Sequence, residues 1–252
     1  MRNLSVVIPV YNEMKYIGEV LERVGSALPH VEKELIVVDD GSTDGTREWL
    51  TERFPCIWED SEPSREQSCR SEVANRAVVG TLVVLHRRNK GKGAAIRTGI
   101  KYSRGEVIVI QDADLEYDPR DWDEMWELID AGVADFVCGS RFHGKPHRAF
   151  YFSHFVGNKV ITNFVNLLTG LVLSDVEVGY KMFKREVIDS IDLKSDDFGI
   201  EVELVVKAAK RKFRFYEVGI RYFGRTYSEG KKIRMRDGIK ALWYALKYRF
   251  WD

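Results

Sequence analysis

Leu35-Ile36-Val37-Val38-Asp39-Asp40-Gly41-Ser42-Thr43-Asp44-Gly45-Thr46 is the stretch on which the fold turns. An uninterrupted apolar run rich in β-branched residues, as in a strand covered on both faces, stops abruptly in a polar loop. A helical pattern follows from Thr46 to Phe54, entered through Thr43 or Asp44 as a cap. The same grammar occurs upstream. Leu4-Ser5-Val6-Val7-Ile8-Pro9-Val10 ends in Tyr11-Asn12-Glu13 and leads into a helical pattern from Tyr16 to Leu28. Strand and helix in alternation predict an α/β fold with a mostly parallel central sheet between helical layers.

In such sheets ligands collect beyond the carboxyl ends of the strands. Three acidic loops fall there: the one carrying Glu13, the one carrying Asp39 and Asp40, and Asp112-Ala113-Asp114, which follows Val107-Ile108-Val109-Ile110-Gln111. If the last segment stays extended, Asp112 and Asp114 leave on the same side and converge on one hard divalent cation and the phosphates it carries. Each loop alone also reads as a solvated turn; their coincidence at strand ends points to diphosphate chemistry.

Asn89-Lys90-Gly91-Lys92-Gly93-Ala94-Ala95-Ile96-Arg97 opens a helix that continues to Tyr102. Its glycines would let the backbone close on a ligand, and a helix N-terminus favours an anion. Solvated lysines in a plain loop are the alternative, and the spacing is not that of a Walker phosphate loop.

Together these segments resemble the family 2 inverting glycosyltransferases, most closely the dolichyl- and polyprenyl-phosphate sugar synthases. The resemblance continues through Val137-Cys138-Gly139-Ser140-Arg141-Phe142, Asp175-Val176-Glu177-Val178-Gly179-Tyr180-Lys181 and Phe223-Gly224-Arg225-Thr226-Tyr227, so it spans nearly the whole chain. It implies the three-layer, Rossmann-like nucleotide-diphospho-sugar transferase fold of the type A glycosyltransferases. It also implies one catalytic domain over residues 1–225, with a nucleotide-sugar half (1–120) and an acceptor half (121–225), followed by a basic, aromatic lid and amphipathic helix over 226–252.

The resemblance further implies metal-dependent, inverting transfer of a hexose from a GDP- or UDP-linked sugar to a polyprenyl phosphate. Asp114 would bind Mg²⁺ or Mn²⁺ directly, Asp112 would hold the ribose or a metal-bound water, and Glu116 would complete the shell, where the synthases commonly carry Gln. The donor would also meet Pro9, Tyr11, Glu13, Asp39 and Asp40 from the first two loops, Lys92 and Arg97 from the glycine loop, Ala113, Asp175 and Lys231. Arg141, which reads as an exposed charge at a strand end, would face the acceptor phosphate, with Arg225 joining it. Glu201 lies where related enzymes keep a general base for a hydroxyl acceptor; a phosphate acceptor needs none, and Glu201 could instead orient Arg225 or bond the sugar. The catalytic set is thus Asp112, Asp114, Arg141, Glu201 and Arg225. A family 2 enzyme with a hydroxyl acceptor is the second reading. A sugar-phosphate nucleotidyltransferase is the third, weakened because its glycine-rich signature is replaced by Pro9-Val10-Tyr11-Asn12-Glu13.

Composition agrees. With 252 residues the chain is long enough for one α/β core, and 39 Lys and Arg balance 39 Asp and Glu, which gives no global field for nucleic acid. Cys56, Cys69 and Cys138 are too few and too irregular for a disulfide framework or a zinc site, as expected of a reducing, cytoplasmic compartment. The chain enters its first strand at once, leaving no room for a signal peptide, and no stretch approaches eighteen uncharged apolar residues. Residues 58–76 read as a polar surface insertion, with a helical tendency from Glu72 to Val79. From Ile239 to Trp251 aromatic and cationic residues alternate, which suits either a helix packed on the core or one lying peripherally on a membrane face.

Overall fold

A computed structural model describes residues 3–61, 77–148, 151–225 and 235–252, the side chains of 235–237 excepted. Both apolar runs form strands, β1 (Leu4–Val10) and β2 (Lys33–Asp39), paired in parallel from Leu4↔Lys33 to Val10↔Asp39. The polar loops behind them release α1 (Ile17–Ser26) and α2 (Thr46–Arg53). Gly45 takes the N-cap position of α2 with φ +96°, while Asp44 Oδ1 accepts from the Thr46 amide at 3.1 Å. The expected cap residue therefore serves from one position further out.

The chain adds β3 (Cys56–Trp58), β4 (Val78–Leu85), α3 (Lys92–Tyr102) and β5 (Val107–Ile110). It continues with α4 (Trp122–Asp130), β6 (Phe136–Ser140), α5 (Phe152–Thr169), β7 (Lys181–Lys184), α6 (Arg185–Asp189), α7 (Ile200–Lys210), β8 (Phe215–Gly219) and α8 (Met235–Phe250). These form one sheet in the order β3-β4-β2-β1-β5-β7-β6-β8. Among the described strands only β7 runs against its neighbours.

The start of the expected insertion is an edge strand, β3, instead of loop, because Cys56 to Trp58 pair with Val83 to Leu85. Val78 and Val79, expected at the end of a helix, begin β4. Residues 62–76, which include Cys69, lie outside the described residues, as does 226–234 with Lys231.

Helices cover both faces. Val20, Leu21 and Val24 of α1 and Trp122, Met125 and Ile129 of α4 bury against Val6, Ile8, Leu35 and Val37. Ile96 of α3, Ile161 and Val165 of α5, Leu204 and Val205 of α7 and Ala241 and Ala245 of α8 bury against Val7, Ile108 and Phe136. Fully burying one such aliphatic side chain is worth about 1.5–3 kcal/mol, enough to fix which face each helix covers.

β5 stops at Ile110, opposite Val7, whereas β1 runs on to Val10. Pro9 therefore has no β5 neighbour that needs its missing amide hydrogen. The early end of β5 also opens the sheet at its carboxyl edge, beside the acidic loops.

Candidate active site

The loops after β1 and β2 are stitched to each other. Ser42 Oγ accepts from the Asn12 amide (3.0 Å), Asn12 Oδ1 from Thr43 (2.8 Å) and Thr46 Oγ1 from Glu13 (3.1 Å), while Asn12 itself takes a left-handed φ of 54°. Asp39 and Asp40 are buried behind this seam. Asp39 Oδ2 accepts from Arg47 Nε at 2.7 Å. Asp40 bonds His86 Nδ1 at 2.7 Å and accepts from the amides of Lys90 and Gly91, both at 2.8 Å. The carboxylate of Asp40 thus shapes the glycine loop from within.

Gly91 and Gly93 serve a different approach from the one their spacing suggested. A Cβ on Gly91 would overlap the Asp196 carbonyl, and one on Gly93 the Ser195 carbonyl, with the Asp197 carbonyl 2.8 Å away. What closes on the loop is the chain's own 195–197 segment, and the Asp196 carbonyl accepts the Ala94 amide at 3.1 Å in the first turn of α3. Arg97 follows that segment: its guanidinium pairs with Asp196 and lies 3.4 Å from the Leu193 carbonyl, so it is not brought to the acidic loops.

After Ile110 the chain bends and does not continue extended, and the two aspartates take different cationic partners. Asp112 Oδ1 meets Lys92 Nζ at 2.7 Å, while Asp114 Oδ2 pairs with Arg225. Ala113 between them is buried in the core. Glu116 Oε1 accepts from Arg225 Nε at 3.1 Å and from its amide at 2.9 Å, Glu116 Oε2 accepts from Tyr222 Oη at 2.8 Å, and Glu13 lies 3.3 Å from Arg225 Nη1. One guanidinium therefore holds three carboxylates. Arg225 sits at this acidic corner and not beside Arg141; Tyr222 separates them, with Arg141 stacked 5.3 Å from its ring. Pro9 is half-buried and Tyr11, two residues on, is exposed.

Lys92 also reaches Glu201 Oε1 at 2.8 Å, at the start of α7. Burial works against its charge, but Asp112 and Glu201 outweigh it and push its pKa up. Glu201 does not orient Arg225; its partner is Lys92. Among the described residues, five carboxylates (Glu13, Asp112, Asp114, Glu116, Glu201) face two cations here. The excess shows on Asp114, whose pKa burial and the neighbouring Asp112 and Glu116 raise to about 7 against the pull of Arg225.

Arg141 is not the exposed charge its strand-end position suggested. Its side chain is mostly buried, bonding Asp175 Oδ2 through Nε at 2.6 Å and Oδ1 through Nη2 at 2.7 Å. Burial alone would raise the Asp175 pKa, yet Arg141 holds it below the usual carboxylate range. Asp175 has no exposed surface and also accepts from Asn158 at 2.9 Å, so contact with a sugar would require that pair to open. Asn158 and Tyr222 were not singled out in the sequence; nothing local marks an asparagine inside an apolar helix as a partner for a carboxylate seventeen residues on.

Oxygen donors with surplus negative charge suit a hard divalent cation. Asp114 and Glu116 already point at one cationic group, Arg225, although among the described residues no three metal-competent side chains are gathered for an ion.

The profile of the family described as "Glycosyl transferase family 2" matches residues 5–65 and 70–192. A polyprenol monophosphomannose synthase of Mycolicibacterium smegmatis is 31% identical over 234 residues, 90% of this chain and 79% of that protein. An undecaprenyl-phosphate mannosyltransferase of Micrococcus luteus is 29% identical over 267 residues, 99% of both chains. A dolichol-phosphate mannosyltransferase of Pyrococcus furiosus is 29% identical over 238 residues, 91% of this chain, and the match spans 60% of that longer protein. Among solved structures, glucosyl-3-phosphoglycerate synthase from Mycobacterium tuberculosis, in complex with Mn²⁺, UDP-glucose and phosphoglyceric acid, superposes with a TM-score of 0.66 over 98% of this chain and 80% of that one. At 19% identity that likeness shows the fold alone.

Proposed function

The chain belongs to glycosyl transferase family 2, with the type A fold, and is a glycosyltransferase; from that premise we propose that it transfers a hexosyl group from a nucleoside diphosphate sugar to a polyprenyl phosphate, with inversion at the anomeric carbon. The observation that carries this reading is the separation of charge across the opening beside β5. Five carboxylates gather on one side, and on the other lies a mostly buried arginine whose planar fork, now held by both oxygens of Asp175, is of the kind that binds phosphate bidentately once that pair opens. The names of the relatives that align over most of this chain point to the same acceptor class.

In this reading Asp114 and Glu116 hold Mg²⁺ or Mn²⁺ once Arg225 moves off them, with Asp112 beside the ribose. The bound ion would neutralise charge growing on the leaving diphosphate. Lys92 steadies Asp112 at the donor side, and Arg141 positions the acceptor phosphate. One phosphate oxygen attacks the anomeric carbon from the face opposite the diphosphate, and the bond to the diphosphate breaks with its electron pair. The nucleophile is already anionic at neutral pH, so no base has to remove a proton.

A peripheral membrane position goes with that acceptor. Its support is an exposed apolar stripe on α5, Phe152, Val156, Val160 and Leu167, and exposed Ile239, Trp243 and Phe250 on α8 with Trp251 just after it, Lys240, Lys247 and Arg249 being nearby. Ala241, Ala245 and Tyr248 of α8 are meanwhile buried against the body, so the helix serves the core on one face and leaves the other bare. Among the described residues no helix is long and apolar enough to cross a membrane.

The test is to offer GDP- and UDP-linked hexoses with Mn²⁺, with and without a short polyprenyl phosphate, and to look for lipid-linked sugar. Product with a hydroxyl acceptor and none with the lipid phosphate would replace this reading by the second one, in which the unpartnered Glu201 Oε2 takes the acceptor proton.

A further inference from the structure

Sugar transfer needs three groups in line: a leaving diphosphate, the sugar and an entering phosphate. On the reading above, on which this inference rests, Asp112 and Lys92 stand at the diphosphate end and Arg141 at the phosphate end. The sugar must then lie along whatever joins them, and two carboxylates occupy that stretch.

Glu201 gives Oε1 to Lys92, while its Oε2 is buried without a hydrogen-bond partner. Among the described residues Glu177 receives a single hydrogen bond, from Asn158 Nδ2 at 3.2 Å, and the same amide bonds Asp175 Oδ1 at 2.9 Å, which places Glu177 beside the Arg141–Asp175 pair. Burial pushes the Glu177 carboxyl up; Arg141 opposes that, and the nearby Asp175 and Glu201 add to it. The cations along the stretch are already answered. Lys92 is taken by Asp112 and Glu201, Arg141 by both oxygens of Asp175, and the buried Lys181 by the carbonyls of Val176 and Val178. What is left over is acceptor capacity.

A buried acceptor oxygen without a donor, as Glu201 Oε2 is, is costly, and a ligand that brings hydroxyl groups relieves it, while the half-buried Glu177 offers a second acceptor. A ligand that brings a carboxylate meets like charge with no spare cation among the described residues to offset it. We propose that Glu177 and Glu201 read the transferred sugar, accepting hydrogen bonds from its hydroxyls, and so restrict the donor to a neutral hexose while excluding the corresponding hexuronate. Glu201 reads the sugar from the diphosphate side and Glu177 from the acceptor side. Each keeps one oxygen fixed by a protein donor, Lys92 or Asn158, and turns the other to the substrate.

The experiment compares matched donors with Mn²⁺ and a short polyprenyl phosphate: UDP-glucose with UDP-glucuronate, UDP-galactose with UDP-galacturonate, and GDP-mannose with GDP-mannuronate. In the unaltered protein, kcat/KM for the hexose should exceed that for its hexuronate by about 100-fold or more. Glu177→Gln and Glu201→Gln keep the shape and remove the charge, and each should raise the relative use of the hexuronate by about tenfold or more. A loss that was merely structural would lower both donors alike and leave the ratio where it was. If Glu201→Gln fails to fold because Lys92 loses its partner, Glu177→Gln carries the comparison alone. Hexuronate transfer as fast as hexose transfer, or an unchanged ratio in the folded variants, overturns this assignment and leaves the transferase reading standing. Transfer from none of the six donors overturns the transferase reading, and this inference with it.

Discussion

Lys92 Nζ lies 2.7 Å from Asp112 Oδ1 and 2.8 Å from Glu201 Oε1, so one buried ammonium ties the loop after β5 to the first turn of α7. The glycine loop thereby acts at the site through a lysine side chain, while its amides serve Asp40.

That tie sets the expectation for Glu201→Gln. With a phosphate acceptor the hexose-transfer rate should fall less than about tenfold, because no proton needs to be removed. With a hydroxyl acceptor the loss should be the general-base factor of about 10² to 10⁴. Single-turnover rates at saturating donor distinguish the two.

Asp114→Ala should abolish Mn²⁺ binding and metal-dependent donor binding with the fold intact, since Arg225 keeps Glu116 and Glu13 as partners. The Asp114 carboxyl, raised to about 7 by burial next to Asp112 and Glu116, must lose its proton to bind a metal. Mn²⁺ affinity in the unaltered protein should therefore climb as pH rises toward about 7 and level off above it. Calorimetric titration across pH 5.5–8.5 reads this directly, and a flat profile would count against Asp114 as a ligand.

Gly93→Ala should be destabilising by about 1–3 kcal/mol, because the new methyl meets the backbone carbonyls of Ser195 and Asp197 and not a side chain that can turn aside. Donor affinity should drop with it as Lys92 shifts. A variant with unaltered thermal midpoint and donor affinity would show that the 195–197 segment yields freely.

Asp135 joins the ends of β6, β7 and β8. It accepts from Arg214 Nε at 2.9 Å and Nη2 at 2.6 Å and from Lys184 Nζ at 2.7 Å, and chiefly the Arg214 bonds hold its pKa well below the usual carboxylate range. A depressed folded pKa contributes stability that is complete above the unfolded value of about 4 and fades as pH falls through the folded one. Asp135→Asn should thus cost about 1–2 kcal/mol at pH 7. The gap between variant and unaltered protein should close below about pH 3, as followed by urea unfolding at several pH values.

Trp243 and Trp251 are 57% and 69% exposed and stack on each other at 6.1 Å, away from the buried face of α8. Replacing both by Ala should leave the thermal midpoint nearly unchanged and release the protein from anionic vesicles. Binding of the unaltered protein should weaken with salt and retain a salt-resistant part from aromatic insertion. A protein that never sediments with such vesicles would refute the membrane reading.

The sequence by itself marked most of the strands and helices, though not β3 or the start of β4, and the edge of the sheet at which the acidic loops lie. Val-rich runs ending in acidic loops encode buried parallel strands, since continuous apolar character needs cover on both faces, and loops at carboxyl ends follow from the βα alternation. For that reason Glu13, Asp39, Asp40, Asp112 and Asp114 stood out in the sequence as acidic residues at strand ends. Only the tertiary structure decided who pairs with whom. Glu116 and Arg225 are 109 residues apart, and Arg141 and Asp175 are 34 apart; these partners meet because β7 inserts antiparallel between β5 and β6, an order that no local periodicity records. The same holds for Gly91 and Gly93, whose need for a bare backbone comes from a segment about a hundred residues on. Local patterns report burial of a residue's own element, whereas the partner of a buried charge is set by which strands and loops the assembled sheet brings alongside it.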